Sequence, residues 1–168
     1  MYPKQILVIA FLALTTFTFA QSAGTNNFGW LMGAWKGEGD GTPGNGSGTF
    51  TFAYDLDKKV ITRKAHSEYP ATDNKPLIIH DDLMVIYADN TGAFTKAIYF
   101  DNEGHTINYS ITYADKAIVL LSDKMPNMPV FKLTYTLLDN ETVNTKFEMS
   151  KDGVAFFTYV EGKSTKVK

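Results

Sequence analysis

The sequence predicts an all-β protein, a single antiparallel up-and-down β-barrel of about ten strands with a short N-terminal helical turn. Three observations point there. Apolar and polar residues alternate with a period of two, most plainly in Thr49-Phe50-Thr51-Phe52-Ala53-Tyr54, where Phe50, Phe52 and Tyr54 share one face of a strand. Clusters of Asn, Asp and Gly recur about every 10 to 14 residues, the spacing of hairpins rather than of βαβ units. Past the N-terminal apolar run, no stretch keeps a helical period over three turns.

The elements follow in order. Residues 1–20 have the form of a secretory signal peptide: Lys4 supplies the positive start, 6–14 are uncharged and apolar, and Thr18-Phe19-Ala20 offers small residues for cleavage. Residues 21–168 then form the barrel domain. A helical turn is expected over 27–32, capped by Asn26 or Asn27. The first strand runs around Trp35. Further strands are expected over 49–54, 60–68, 78–87, 94–100, 106–113, 117–122, 131–138, 142–149 and 156–162, with turns at 55–58, 89–92, 101–104, 138–141 and 151–153. Consecutive hairpins without a crossover helix favour closure, since a barrel leaves no edge strand exposed.

Composition narrows the function classes. The chain of 168 residues is 44% hydrophobic, 14% aromatic and 20% charged, as expected of one globular domain. Its net charge of −2 gives no electrostatic footprint for nucleic acid. Without cysteine, disulfides and thiolate metal sites are excluded. No span long enough to cross a bilayer follows the signal. The expected location is secreted or periplasmic.

Gly33-Ala34-Trp35 after a helical turn resembles the G-x-W signature of the calycin barrels (lipocalins, fatty-acid-binding proteins and relatives), and secreted bacterial barrels share such openings. The resemblance implies that Trp35 plugs the closed end. The longer string Gly33-Ala34-Trp35-Lys36-Gly37-Glu38-Gly39-Asp40-Gly41 is similar to the opening of nitrobindin-type heme barrels, which implies ten strands and an iron ligated by a histidine near the C-terminus. Here the last histidine is His105 and the final strands carry none, so heme is not expected and no cofactor is predicted. The alternating glycines leave one strand face bare. That permits strong coiling or the close approach of a backbone or a ligand.

Candidate site residues lie on the strands at 60–68 and 78–87. His66 and Glu68 share one face, and so do His80 and Asp82. A loop centred near Asp73 sets His66 opposite His80 and Lys64 opposite Asp82, bringing two imidazoles and a carboxylate within reach of one metal or one proton. The alternative is that the more apolar face, Ile79, Leu83, Val85 and Tyr87, turns inward and leaves His80 and Asp82 in solvent. Arg63, the single arginine, is a candidate anchor for an acidic head group, or else a structural partner of Glu68 or Asp82. Tyr54, Tyr99 and Tyr109 join Phe50, Phe52, Phe131, Tyr135, Phe147 and Phe157 as cavity lining. The connector 122–129, with two prolines and two methionines, is either a rigid cover or a soft lid. The preferred function is a barrel binding a small apolar or amphipathic ligand. A hydrolase or isomerase built on the histidine–carboxylate cluster, and a ligand-free interaction domain, are the alternatives.

Overall fold

The computed structural model describes residues 27–38 and 46–168. The expected signal peptide and the glycines at 39 and 41 lie outside the described residues. Among the described residues a 3-10 turn (Phe28–Leu31) precedes ten strands: β1 (Gly33–Glu38), β2 (Ser47–Asp55), β3 (Val60–Tyr69), β4 (Ile78–Ala88), β5 (Phe94–Asp101), β6 (Thr106–Ala114), β7 (Ala117–Ser122), β8 (Val130–Asp139), β9 (Thr142–Ser150) and β10 (Phe157–Lys166). Each strand pairs antiparallel with its neighbour in sequence, and β10 returns to pair with β1, so the sheet closes into a barrel. No described helix is long and apolar enough to cross a membrane.

Turn chemistry sets most of these boundaries. Gly92, Gly104 and Gly153 take positive φ where the chain reverses. Asp89, Asp101 and Asp152 accept backbone N–H bonds inside their own turns. The β2–β3 turn departs from this pattern, because its positive φ falls on Leu56, Asp57 and Lys58. The strand expected to end at 162 continues to Lys166. Its last inner positions, Gly162 and Ser164, are too small to register as an apolar alternation. Ser164 lies beside β1, where it pairs with Gly37, while Gly162 pairs with Thr145 of β9.

One end of the barrel is shut. Asn27 caps the 3-10 turn by accepting the Gly29 N–H at 2.7 Å. Phe28 and Leu31 are thereby pressed into the interior. Phe28 packs against Phe52, Phe94 and Tyr113 with ring centroids 6.0–6.3 Å apart. Trp35 is fully buried, stacks on Phe50 at 6.1 Å, and donates its indole N–H to the Leu31 carbonyl at 2.8 Å. The apolar core (Ile61, Met84, Ile86, Ile111, Ile118, Leu120, Val143) fills the barrel above this plug.

The glycines of β1 and β2 serve close approach. Gly37 and Gly48 face each other across the ladder. A Cβ on Gly48 would meet the His66 carbonyl and the Ser67 hydroxyl at 2.9 Å, and one on Gly37 would meet Ser164 Oγ at 3.0 Å. At Gly37 and Gly48 the neighbouring strands take up the space a side chain would need.

Replacing Trp35 by Ala should destabilise the fold by about 3–5 kcal/mol. Trp35→Phe should cost about 1–3 kcal/mol by orphaning the Leu31 carbonyl. Gly48→Ala should cost a similar amount through overpacking. Urea unfolding followed by circular dichroism measures all three as lowered midpoints at unchanged m; midpoints matching the unsubstituted protein would refute the structural role of the plug.

Candidate functional site

The β3–β4 ladder decides which polar side chains enter the barrel. Thr72 and Lys75 bridge each other, with N–H···O=C distances of 2.8 and 3.2 Å, so the reversal is a two-residue turn at Asp73 and Asn74. The resulting register sets His66 opposite Asp81, Ser67 opposite His80, Ala65 opposite Asp82 and Lys64 opposite Leu83. This corrects the expected pairing of His66 with His80 by one residue, and a one-residue slip moves side chains to the other face. Arg63, His80 and Asp82 therefore lie on the inner face with Ile61, Met84 and Ile86, while His66 and Glu68 stand on the outer one. The inward turn of Ile79, Leu83, Val85 and Tyr87 is likewise overturned; Ile79 and Tyr87 are exposed. Two imidazoles on opposite faces of one sheet cannot share a metal ion or a proton. Among the described residues no three His, Asp or Glu side chains converge as a metal site would require.

Inside the barrel, Arg63 donates to the Asp82 carboxylate, and the two side chains are only 9% and 7% exposed. The contact is diagonal: Ala65, directly opposite Asp82, is small enough to leave the guanidinium room. The guanidinium carbon lies 5.6 Å from the Phe50 ring and 6.0 Å from that of Tyr135. Burial opposes its charge, but Tyr135 and Asp82 outweigh that and hold Arg63 firmly protonated. Burial also pushes the Asp82 carboxyl above the usual range, against the pull of Arg63 and His80.

His80 links this pair to the rim. Its Nδ1 is 3.1 Å from Glu103 in the β5–β6 turn, and its Nε2 is 2.8 Å from the Tyr99 hydroxyl and 4.0 Å from Asp82. A carboxylate only accepts, so in the neutral ring Nδ1 carries the hydrogen and Nε2 accepts from the Tyr99 O–H. Burial raises Tyr99 and Tyr109 well above the ordinary tyrosine value and Tyr135 to about 12. All three stay neutral hydroxyls at physiological pH.

Three buried polar atoms among the described residues have no partner: Arg63 Nε, the Tyr135 hydroxyl and Thr145 Oγ1. Tyr135 and Thr145 face each other across the β8–β9 ladder. Neither Thr145 nor Glu103 is among the site residues expected from sequence. Alternation between Val143 and Phe147 places Thr145 inward, whereas Glu103 arrives from a turn and leaves no local signal.

The open end is aromatic. Phe131 stacks on Phe147 at 5.6 Å, and Phe147 meets Tyr159 edge-on at 6.2 Å. Met149 pairs with Phe131 on one side and Phe157 on the other. Beside them the β7–β8 connector borders an open groove of about 680 Å³, lined by Met125, Pro126, Met128, Pro129, Met149 and Phe157 together with Lys124, Asn127, Ser150 and Lys151. Tyr54 does not belong here: it is 42% exposed near the closed end, with the Lys58 ammonium 5.7 Å from its ring.

On the outer face His66 is clamped between two acids, with Nε2 3.0 Å from Glu68 and Nδ1 2.6 Å from Asp81. Hydrogen bonds to Glu68 and then Asp81 raise its pKa above 6.5.

No protein-family model and no curated protein matches the chain. Among solved structures it is similar to Rv2717c from M. tuberculosis, with a TM-score of 0.55 and 11% identity over 84% of this chain and 95% of that one. It is also similar to the S-type phycobiliprotein lyase CPES from Guillardia theta, at a TM-score of 0.49 and 9% identity over 84% and 90% of the two chains. The first likeness is one of fold.

Two outcomes follow from this geometry. Asp82→Ala, which strands a buried guanidinium, should destabilise by about 3–5 kcal/mol, whereas the double change Arg63→Met with Asp82→Leu should recover most of that loss. Additive losses in a chemical-denaturation cycle would show that the two side chains are not coupled. NMR titration should place the His66 midpoint above 6.5, and Glu68→Gln or Asp81→Asn should each lower it. Because the folded value is the raised one, this stabilisation is complete below the unfolded value and fades as pH climbs through the folded one.

Proposed function

We propose that this protein is a secreted or periplasmic barrel that binds a small apolar or amphipathic molecule at its open end. The observation that carries the proposal is the groove of about 680 Å³ between the methionine- and proline-bearing β7–β8 connector and Met149 and Phe157, beside the stacked rings of Phe131 and Phe147. Apolar lining with a few fixed polar groups is the usual make-up of a small-molecule site, and about 680 Å³ falls within the usual range for one. Exposed mouth side chains such as Phe157 and Tyr159 would lose water contact on binding, which supplies the driving force. Met125 and Met128, flexible and half exposed, suit a rim that adapts to its occupant. The export assignment is supported by the signal-like residues 1–20.

The neutral dye Nile red should bind the purified protein and be displaced by lipids extracted from the source cells. Phe147→Ala should weaken that binding about tenfold, in keeping with the loss of one buried aromatic contact. Fluorescence no greater than with an unrelated β-protein would end the proposal. Fractionation of cells carrying a C-terminally tagged copy tests export, which retention in the cytosol would refute.

A further inference from the structure

Resting on the ligand-binding role above, we propose that the groove beside the β7–β8 connector takes an amphiphile with an anionic head, carboxylate or phosphate, held by Lys124 and Lys151. The lining has two characters. Met125, Met128, Met149 and Phe157 supply apolar surface, and the charged side chains are the two lysines. Among the described residues no aspartate or glutamate lines the groove. The whole chain carries 18 acidic residues against 16 lysines and arginines, so the groove reverses the sign of the overall balance. That reversal, next to apolar surface, is what complements an anionic amphiphile.

Both lysines meet at the β9–β10 turn. Lys124 Nζ donates to the Asp152 carbonyl at 3.2 Å, tying the connector to a turn 28 residues away, and Lys151 directly precedes Asp152. A carbonyl is neutral, so the Lys124 charge stays unmatched, and two of its three donors stay free for an anion. Among the described residues neither lysine enters an ion pair. The acid next to them is spent on its own turn, where Asp152 Oδ1 accepts from the Ser150 hydroxyl and the Val154 and Ala155 N–H groups. Asp123, beside Lys124 in the chain, does not line the groove. Other cations of the barrel are matched: Arg63 by Asp82, and Lys132 by Glu148 at 2.9 Å. Because the groove is open and both lysines are exposed, a head group there keeps part of its water. Attraction is then not cancelled by desolvation as in a buried pair, while the alkyl chain gains by covering the methionine and phenylalanine surface.

The test is displacement of Nile red at neutral pH by a fatty acid, an alkyl phosphate and a primary alcohol of equal chain length, all kept monomeric. With Lys124→Gln and Lys151→Gln together, each anion should need about tenfold more to displace the dye, while the alcohol is unaffected. Phe157→Ala should weaken all of them alike, which fixes the seat in this groove. Added sodium chloride should weaken the anions and spare the alcohol, because exposed charges are screened. Should the double variant fail to fold, this salt series on the unsubstituted protein decides. Displacement by the anions that ignores both lysines or salt, a loss that the alcohol shares, or indifference to Phe157→Ala overturns the inference and leaves the binding role standing. A dye that never binds removes both.

Discussion

A guanidinium and a carboxylate meet near the centre of a closed barrel, and their need for each other organises what surrounds them. Neither group tolerates burial alone, so the partner must be held at the right depth and on the right strand. Ala65 leaves the diagonal open, Phe50 and Tyr135 present ring faces to the cation, and His80 extends the polar path to the rim. The pair also divides the interior. On one side lies a sealed apolar plug, Phe28, Leu31 and Trp35. On the other lies a mouth whose aromatic and methionine side chains remain partly open to solvent.

Much of the fold was legible because its signals are local. Alternation of period two marks Phe50 and Phe52 as inward wherever the rest of the chain goes, and Asp-Asn-Thr-Gly at 89–92 makes a turn without tertiary help. The candidate site was less legible because it depends on register. Whether the 70–77 segment reverses around one residue or between two decides whether His66 and His80 share a face of the sheet, and composition alone does not distinguish these cases. Thr72 and Lys75 settle it by bridging across Asp73 and Asn74. The apolar character of β4 misled for a related reason. Its inner face carries the polar floor, so the outer residues Ile79 and Tyr87 look like core while standing exposed.

His66 and His80 have the same chemistry and opposite situations. His66 has both ring nitrogens against carboxylates and sits in solvent, where screening keeps its ion pairs weak and its role confined to the surface ladder. His80 has one nitrogen at a carboxylate of the rim and the other at an interior hydroxyl. It fixes the Tyr99 hydroxyl by accepting from it.

A barrel of this size needs no ion pair to be stable; well-packed apolar side chains of equal volume commonly hold a fold as well or better. Keeping Arg63 and Asp82 inside, with an N–H and two hydroxyls unpartnered, is therefore a local cost that packing does not explain. Such costs are typical of places where a protein is prepared for something it does not itself contain. The three orphaned atoms lie on strands β3, β8 and β9, held by the rigid closed sheet rather than by loops, and β8 and β9 also supply Phe131, Phe147 and Met149 to the mouth. Donor geometry at the floor and apolar lining at the entrance thus belong to the same strands.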